Sequence, residues 1–151
     1  MLLLLLPAAV SCERDTVFHR FQRVPEKGWA AGDTLLFEIP VRDSVPDYVF
    51  YAEVRHSVRY PFRELFLAID WTYRSAAGDS PVRHEIVRYP LADERGQWLG
   101  TGWGSLRVSA FPLRTLRFVR RGTLRCKVYH LMNGQPLQGI EDVGLRLAKR
   151  L

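Results

Sequence analysis

Alternation of apolar and polar residues constrains this chain more than any other feature. In "GTLRCKVYH" (Gly122 to His130), Leu124, Cys126 and Val128 alternate with Arg125, Lys127 and Tyr129. In "LFLAIDWTY" (Leu65 to Tyr73), Leu65, Leu67, Ile69 and Trp71 fall on one side of an extended backbone. "DVGLRLAKR" sets Val143, Leu145 and Leu147 against Gly144, Arg146 and Ala148. A period of two buries one face of a strand and wets the other, which a helix with the same pattern could not do. Further β-rich runs cover 16–24, 34–41, 48–58, 82–91 and 113–119. The nine prolines and eleven glycines fall mostly between these runs, as turn punctuation. "ADERGQWLG" and "YPFREL" offer one helical turn each, and nothing longer has helical periodicity. The pattern predicts an all-β chain: a single antiparallel β-sandwich or jelly-roll-like domain of about eight strands over residues 17–151.

A chain of 151 residues with 47% hydrophobic residues can bury one core of its own. Its net charge is +6, and the lysines are Lys27, Lys127 and Lys149 alone, so arginine supplies the excess. The arginines are scattered and form no basic run. They read as the wet faces of strands, and no nucleic-acid partner is expected.

The N-terminus carries a different signal. Leu2 to Leu6, Pro7 and Ala8 make a short apolar core, followed by the small residues Ala9, Val10 and Ser11 and then Cys12. This is a secretory signal pattern. "AVSC" also resembles a bacterial lipobox, with Ala9 where leucine is usual. Residues 1–11 are therefore read as a lipoprotein signal peptide and 12–16 as a tether. No Lys or Arg precedes the leucines, so we expect the natural start upstream of Met1.

Cys12 has three readings at this point: an acylated anchor, a disulfide partner for Cys126, or a thiol in a buried strand. Acylation leaves Cys126 as a small core residue. A disulfide would need an oxidising compartment. Anchoring through lipid would hold the protein to a membrane in a bacterial envelope, the outer membrane in preference to the inner.

Candidate chemistry is sparse. His19, His56, His84 and His130 show no ligand spacing with one another, with cysteine or with carboxylates, so no metal is expected. "GTGWGSL" (Gly100 to Leu106) lacks the spacing and following helix of a phosphate loop, so no nucleotide or other cofactor is expected. The carboxylates Asp70, Asp93, Glu94, Glu141 and Asp142 sit in strands and turns, and no catalytic residue is assigned. Trp29, Trp98 and Trp103 lie at turns or loop edges. Trp98, Gly100, Trp103 and Gly104 could form a ligand or partner surface; alternatively, the indoles plug an end of the sandwich and the glycines make room.

Four blocks bring in a family resemblance. They are "VPEKGWAAGDTLLFEIPV", "RYPFRELFLAIDW", "GQWLGTGWGSL" and "GIEDVGLRLAK", and together they span most of residues 19–149. In order and spacing they resemble the GldH-type gliding-motility lipoproteins of the Bacteroidetes. The resemblance implies a non-enzymatic envelope lipoprotein that contacts other envelope proteins of a gliding-motility machinery linked to type IX secretion. It brings no catalytic residue or cofactor, and Cys12 is the one position whose role transfers. The alternative reading is a glycan-binding outer-membrane lipoprotein module that uses Trp98 and Trp103.

Overall fold

The computed structural model describes residues 15–134 and 136–150. These hold nine strands: β1 (Thr16–Arg23), β2 (Leu35–Val41), β3 (Asp47–Ser57), β4 (Glu64–Ser75), β5 (Gly78–Asp79), β6 (Arg83–Pro90), β7 (Leu106–Arg117), β8 (Gly122–His130) and β9 (Ile140–Lys149). Sheet I has the order β1-β9-β3-β7. Sheet II runs β2-β8-β4, and both β6 and the two-residue β5 pair with β4. Every pairing is antiparallel. With β5 and β6 counted as one interrupted strand, successive strands alternate between the sheets except at the β4–β6 hairpin within sheet II, which is the connectivity of a jelly roll.

Each alternating run buries its apolar set between the sheets. In sheet I, Phe50 faces Leu147, Ala52 faces Leu145 and Val54 faces Val143 across β3 and β9. In sheet II, Ile69 faces Val128 and Trp71 faces Cys126, while Phe37 and Ile39 of β2 close the same layer from the other side of β8. All of these side chains are buried. Each large aliphatic or aromatic side chain among them contributes roughly 1.5–3 kcal/mol by leaving water. Burial pushes the Cys126 thiol up to about 12, so it packs as a small apolar residue.

Two elements depart from the sequence expectation. β7 begins at Leu106, well before the run read from 113. Pro112 interrupts the alternation there, but β7 is an edge strand with β3 as its one partner, and the register shifts beside Pro112 between Phe50 and Tyr51. A missing N–H is tolerated at such an edge. β5 is the ninth strand. It forms where Gly78, at φ 103°, turns the chain tightly back on the end of β4.

The topology gives the molecule two unlike ends. The connections 24–34, 58–63, 91–105 and 131–139 all gather at one of them, hereafter the loop end. The opposite, terminal end carries the short connections 42–46, 80–82 and 118–121. The chain enters β1 and leaves β9 at this second end, where the Lys149 N–H donates to the Asp15 carbonyl at 2.7 Å.

Candidate functional site

The loop end is built on aromatic plugs. Trp29 is fully buried; its Nε1–H donates to the Asp33 carbonyl at 2.9 Å, and its ring meets His130 edge-on at 5.1 Å. Nδ1 of His130 accepts from the Met132 N–H at 3.2 Å, so its Nε2 donates to the Trp29 carbonyl at 2.9 Å. Both ring nitrogens are thus used within the fold. His56 lies beneath the 91–105 loop, with Nδ1 3.0 Å from the Ser57 carbonyl and Trp98 packed 4.7 Å above its ring. Burial lowers the pKa of His56.

The four residues singled out in "WLGTGWG" share one loop but divide into different roles. Trp98 turns inward onto His56 and pairs across the loop with Ala92. Gly100 lies against β7, where a Cβ would stand 2.6 Å from the Ser109 Oγ and the Val108 carbonyl oxygen. Gly104 turns the loop at φ 56°. Trp103 projects into solvent at 94% exposure. Arg107 holds the base of this tip by donating from one guanidinium nitrogen to the carbonyls of Gly104 and Leu106, at 2.9 and 2.8 Å. The tip therefore presents one indole and not a two-ring platform.

Other apolar side chains are exposed at this end. Leu99, Leu106, Phe62 and Leu131 are all exposed. Leu99 and Gly100 line a hollow of about 380 Å³ with Pro90 and Phe111. Phe62 and Leu131 line another of about 430 Å³ with Phe66 and Met132. Single exposed apolar residues are ordinary, but an aromatic tip and four further apolar side chains exposed at one end of the molecule give that end the composition of a protein-contact surface.

A second cluster, which the sequence reading missed, lies on the outer face of sheet I. Glu53 points away from the core yet is only 6% exposed. The His19 Nε2 approaches one of its carboxylate oxygens to 2.5 Å, and the Arg146 Nε donates to the other at 2.8 Å. Arg146 also lies 3.9 Å over the Tyr51 ring, and Arg55 3.7 Å over the Phe21 ring. Gly144, opposite Phe21 on β9, lets that ring fold down onto the sheet. The available signal was the glycine at an outward strand position, which marks the close approach of another group.

The remaining candidates are dispersed. Asp93 accepts from the N–H groups of Arg95 and Gln97, both at 2.9 Å, and so organises a turn. Asp142 pairs with Arg55 at 3.8 Å, Asp70 with His84 at 2.5 Å, and Glu141 is exposed at the start of β9. Among the described residues, no group of three or more His, Cys, Asp or Glu could hold a metal ion. Cys12 lies outside the described residues.

Comparison with known proteins adds a family. The family model described as GldH lipoprotein matches residues 16–147. A "Gliding motility lipoprotein GldH homolog" of Christiangramia forsetii is 26% identical over 147 residues, covering 92% of this chain and 87% of that protein. A "Gliding motility lipoprotein GldH" of Flavobacterium johnsoniae is 26% identical over 156 residues, covering 97% of this chain and 95% of that one. No solved structure gives a significant match.

Proposed function

The chain belongs to the GldH lipoprotein family, and from that premise we propose that it is a lipid-anchored gliding-motility protein of the cell envelope that works by holding other envelope proteins at its loop end. The observation that carries this reading is the polarity of the molecule. The tether leads into β1 at one end, and Trp103 and the four further apolar side chains stand at the other. β3, which runs between the ends, has 11 residues, so the ends are about 35 Å apart at roughly 3.3 Å per residue. A jelly roll anchored in this way serves as a rigid spacer between a membrane and a protein partner.

Cys12 is the anchor in this reading. Cys126 supports it from the other side, because it is buried between the sheets in the middle of β8, where a disulfide partner would have to enter the core. The carboxylates support a role without catalysis, since Glu53, Asp70 and Asp142 are each engaged by a neighbouring cation or histidine. The outer membrane as the anchoring membrane and a link to type IX secretion are the further expectations of the same reading. Membrane fractionation and a cargo-export assay decide those two.

The central test is Trp103→Asp combined with Leu99→Asp in cells. The protein should accumulate and fractionate as before while colony spreading is lost. A photocrosslinker at Trp103 should capture an envelope protein, and one at Ile86 on the outer face of sheet II should not. Normal spreading by the double variant would sink the loop-end assignment.

A further inference from the structure

The terminal end has its own chemistry. Arg42, Arg120, Arg121 and Arg150 are all exposed there, and none makes an ion pair among the described residues. Three aspartates of the same end are already engaged: Asp43 with Lys149 at 3.2 Å, Asp47 with Arg117 at 2.6 Å, and Asp79 with Arg74 at 2.9 Å. Glu38 pairs with Arg125 at 3.2 Å, and Asp15 is a further acid at this end of the described chain. Arg121 lies in the field of Asp43 and Arg150 in that of Asp47, without pairing with either, and two apolar tips stand at the same end: Val45 and Val119, each 88% exposed, with no part in the core. Arg42 and Val45 lie in the 42–46 connection, and Val119, Arg120 and Arg121 in 118–121. Arg150 follows β9, and its N–H donates to the Asp47 carbonyl at 2.8 Å.

We propose that this end is a lipid-facing surface: Arg42, Arg120, Arg121 and Arg150 meet the headgroups of an anionic bilayer, and Val45 and Val119 dip among them. The proposal rests on the reading of Cys12 as the acylated residue, because chain length then fixes the geometry. Cys12 and Thr16 are four residues apart, which at about 3.6 Å per residue allows a reach of roughly 14 Å. A tether of that reach lets this end approach to within the screening length of roughly 8–10 Å at physiological salt, where the four guanidinium groups meet the field of the surface. Each basic residue there raises the bound population roughly fivefold. The domain is then held upright, with the loop end turned away from the membrane.

The test uses the mature lipoprotein reconstituted into phosphatidylcholine vesicles with or without phosphatidylglycerol. A nitroxide is attached at Val119→Cys, with Trp103→Cys as the distal control. Cys126, buried and held as a thiol, should not compete for the label. With phosphatidylglycerol, the Val119 label should become shielded from a water-soluble relaxant and accessible to oxygen, while the Trp103 label stays in water. Replacing the four arginines with Gln should reduce the ratio of lipid-contacting to free domain by roughly 600-fold, the product of four fivefold factors. Replacing them with Lys should preserve it, which controls for misfolding. A Val119 label equally wet in both lipids overturns the proposal. So does one equally shielded in both, or a crosslinker at Val119 that captures protein in place of lipid. Mass spectrometry of the N-terminus is read separately. An unmodified Cys12 refutes the anchor alone. The surface is then judged by flotation of the unlipidated chain with the same vesicles, where a lack of phosphatidylglycerol dependence refutes it.

Discussion

The outer faces of the two sheets are built on opposite principles. Sheet II turns an ordinary wet surface outward, with Ile86 60% exposed and Arg88, Lys127 and His84 around it. Sheet I turns outward a small second interior, in which Glu53 is shut beneath His19, Arg146 and the Phe21 ring. The same alternation rule generates both. The difference comes from one glycine and one aromatic: Gly144 removes a side chain from the middle of β9, and Phe21 of the edge strand lies in the space. A polar residue at an outward strand position can therefore still carry the energetics of a core group.

The largest effect should come from Arg146→Ala. It leaves the Glu53 carboxylate covered and missing a charged partner, a loss of about 3 kcal/mol by the usual cost of breaking a buried pair. Urea midpoints would register it. Arg146→Met combined with Glu53→Leu should recover most of the loss, because the uncompensated charge is then gone.

Gly144→Ala comes next. The new Cβ would stand 2.8 Å from two atoms of the Phe21 ring, so the ring must swing away, at about 1–2 kcal/mol. Phe21→Ala in the same chain should abolish the extra cost of the alanine, leaving the two changes strongly non-additive.

Acid should find the inner face of β3, the strand that carries Glu53 on its outer face. Burial lowers the pKa of His56 below the ordinary 6.5, so the unfolded chain takes up a proton that the folded chain resists. The contribution of His56 to stability is present above pH 6.5 and is lost as the pH falls from there toward its depressed folded value. His56→Gln should flatten the slope of melting temperature against pH in that window. An unchanged slope would remove His56 as its source.

Changes on the open face of sheet II should be smallest. Lys127→Ala or Ile86→Ser should stay within about 0.5 kcal/mol of the parent. A larger loss from either would mean that the two faces are not so different after all.

Alternation made most of the strands legible. Leu65 to Trp71 and Leu124 to Val128 read as strands because each faces core on one side and water or neighbouring chain on the other. β7 was legible only from 113, because Pro112 breaks the pattern before it, and edge position is a property of the assembled sheet. The assignment of each strand to its sheet was equally hidden, since both sheets use the same period. At the loop end, Trp98 and Trp103 look alike in sequence, each set between or beside glycines. Their opposite fates depend on His56, far away in the chain, which offers a ring to one and not to the other. The burial of Glu53 was invisible for a similar reason: it needs β1 laid against β9 in the register that sets Phe21 over Gly144.

Under the proposed anchoring, the direction of β1 has a mechanical consequence. β1 runs from the terminal end toward the loop end, so a pull between an anchor at Cys12 and a partner at the loop end would act along the strand axis. The hydrogen bonds to β9 lie across that axis and are loaded together, in shear, where a pull from the opposite end of β1 would peel them one at a time. His19 adds a side-chain cross-link from this strand to Glu53 on β3, two strands into the sheet. Tension on such a tether would thereby be spread across sheet I and kept off the single edge strand that receives it.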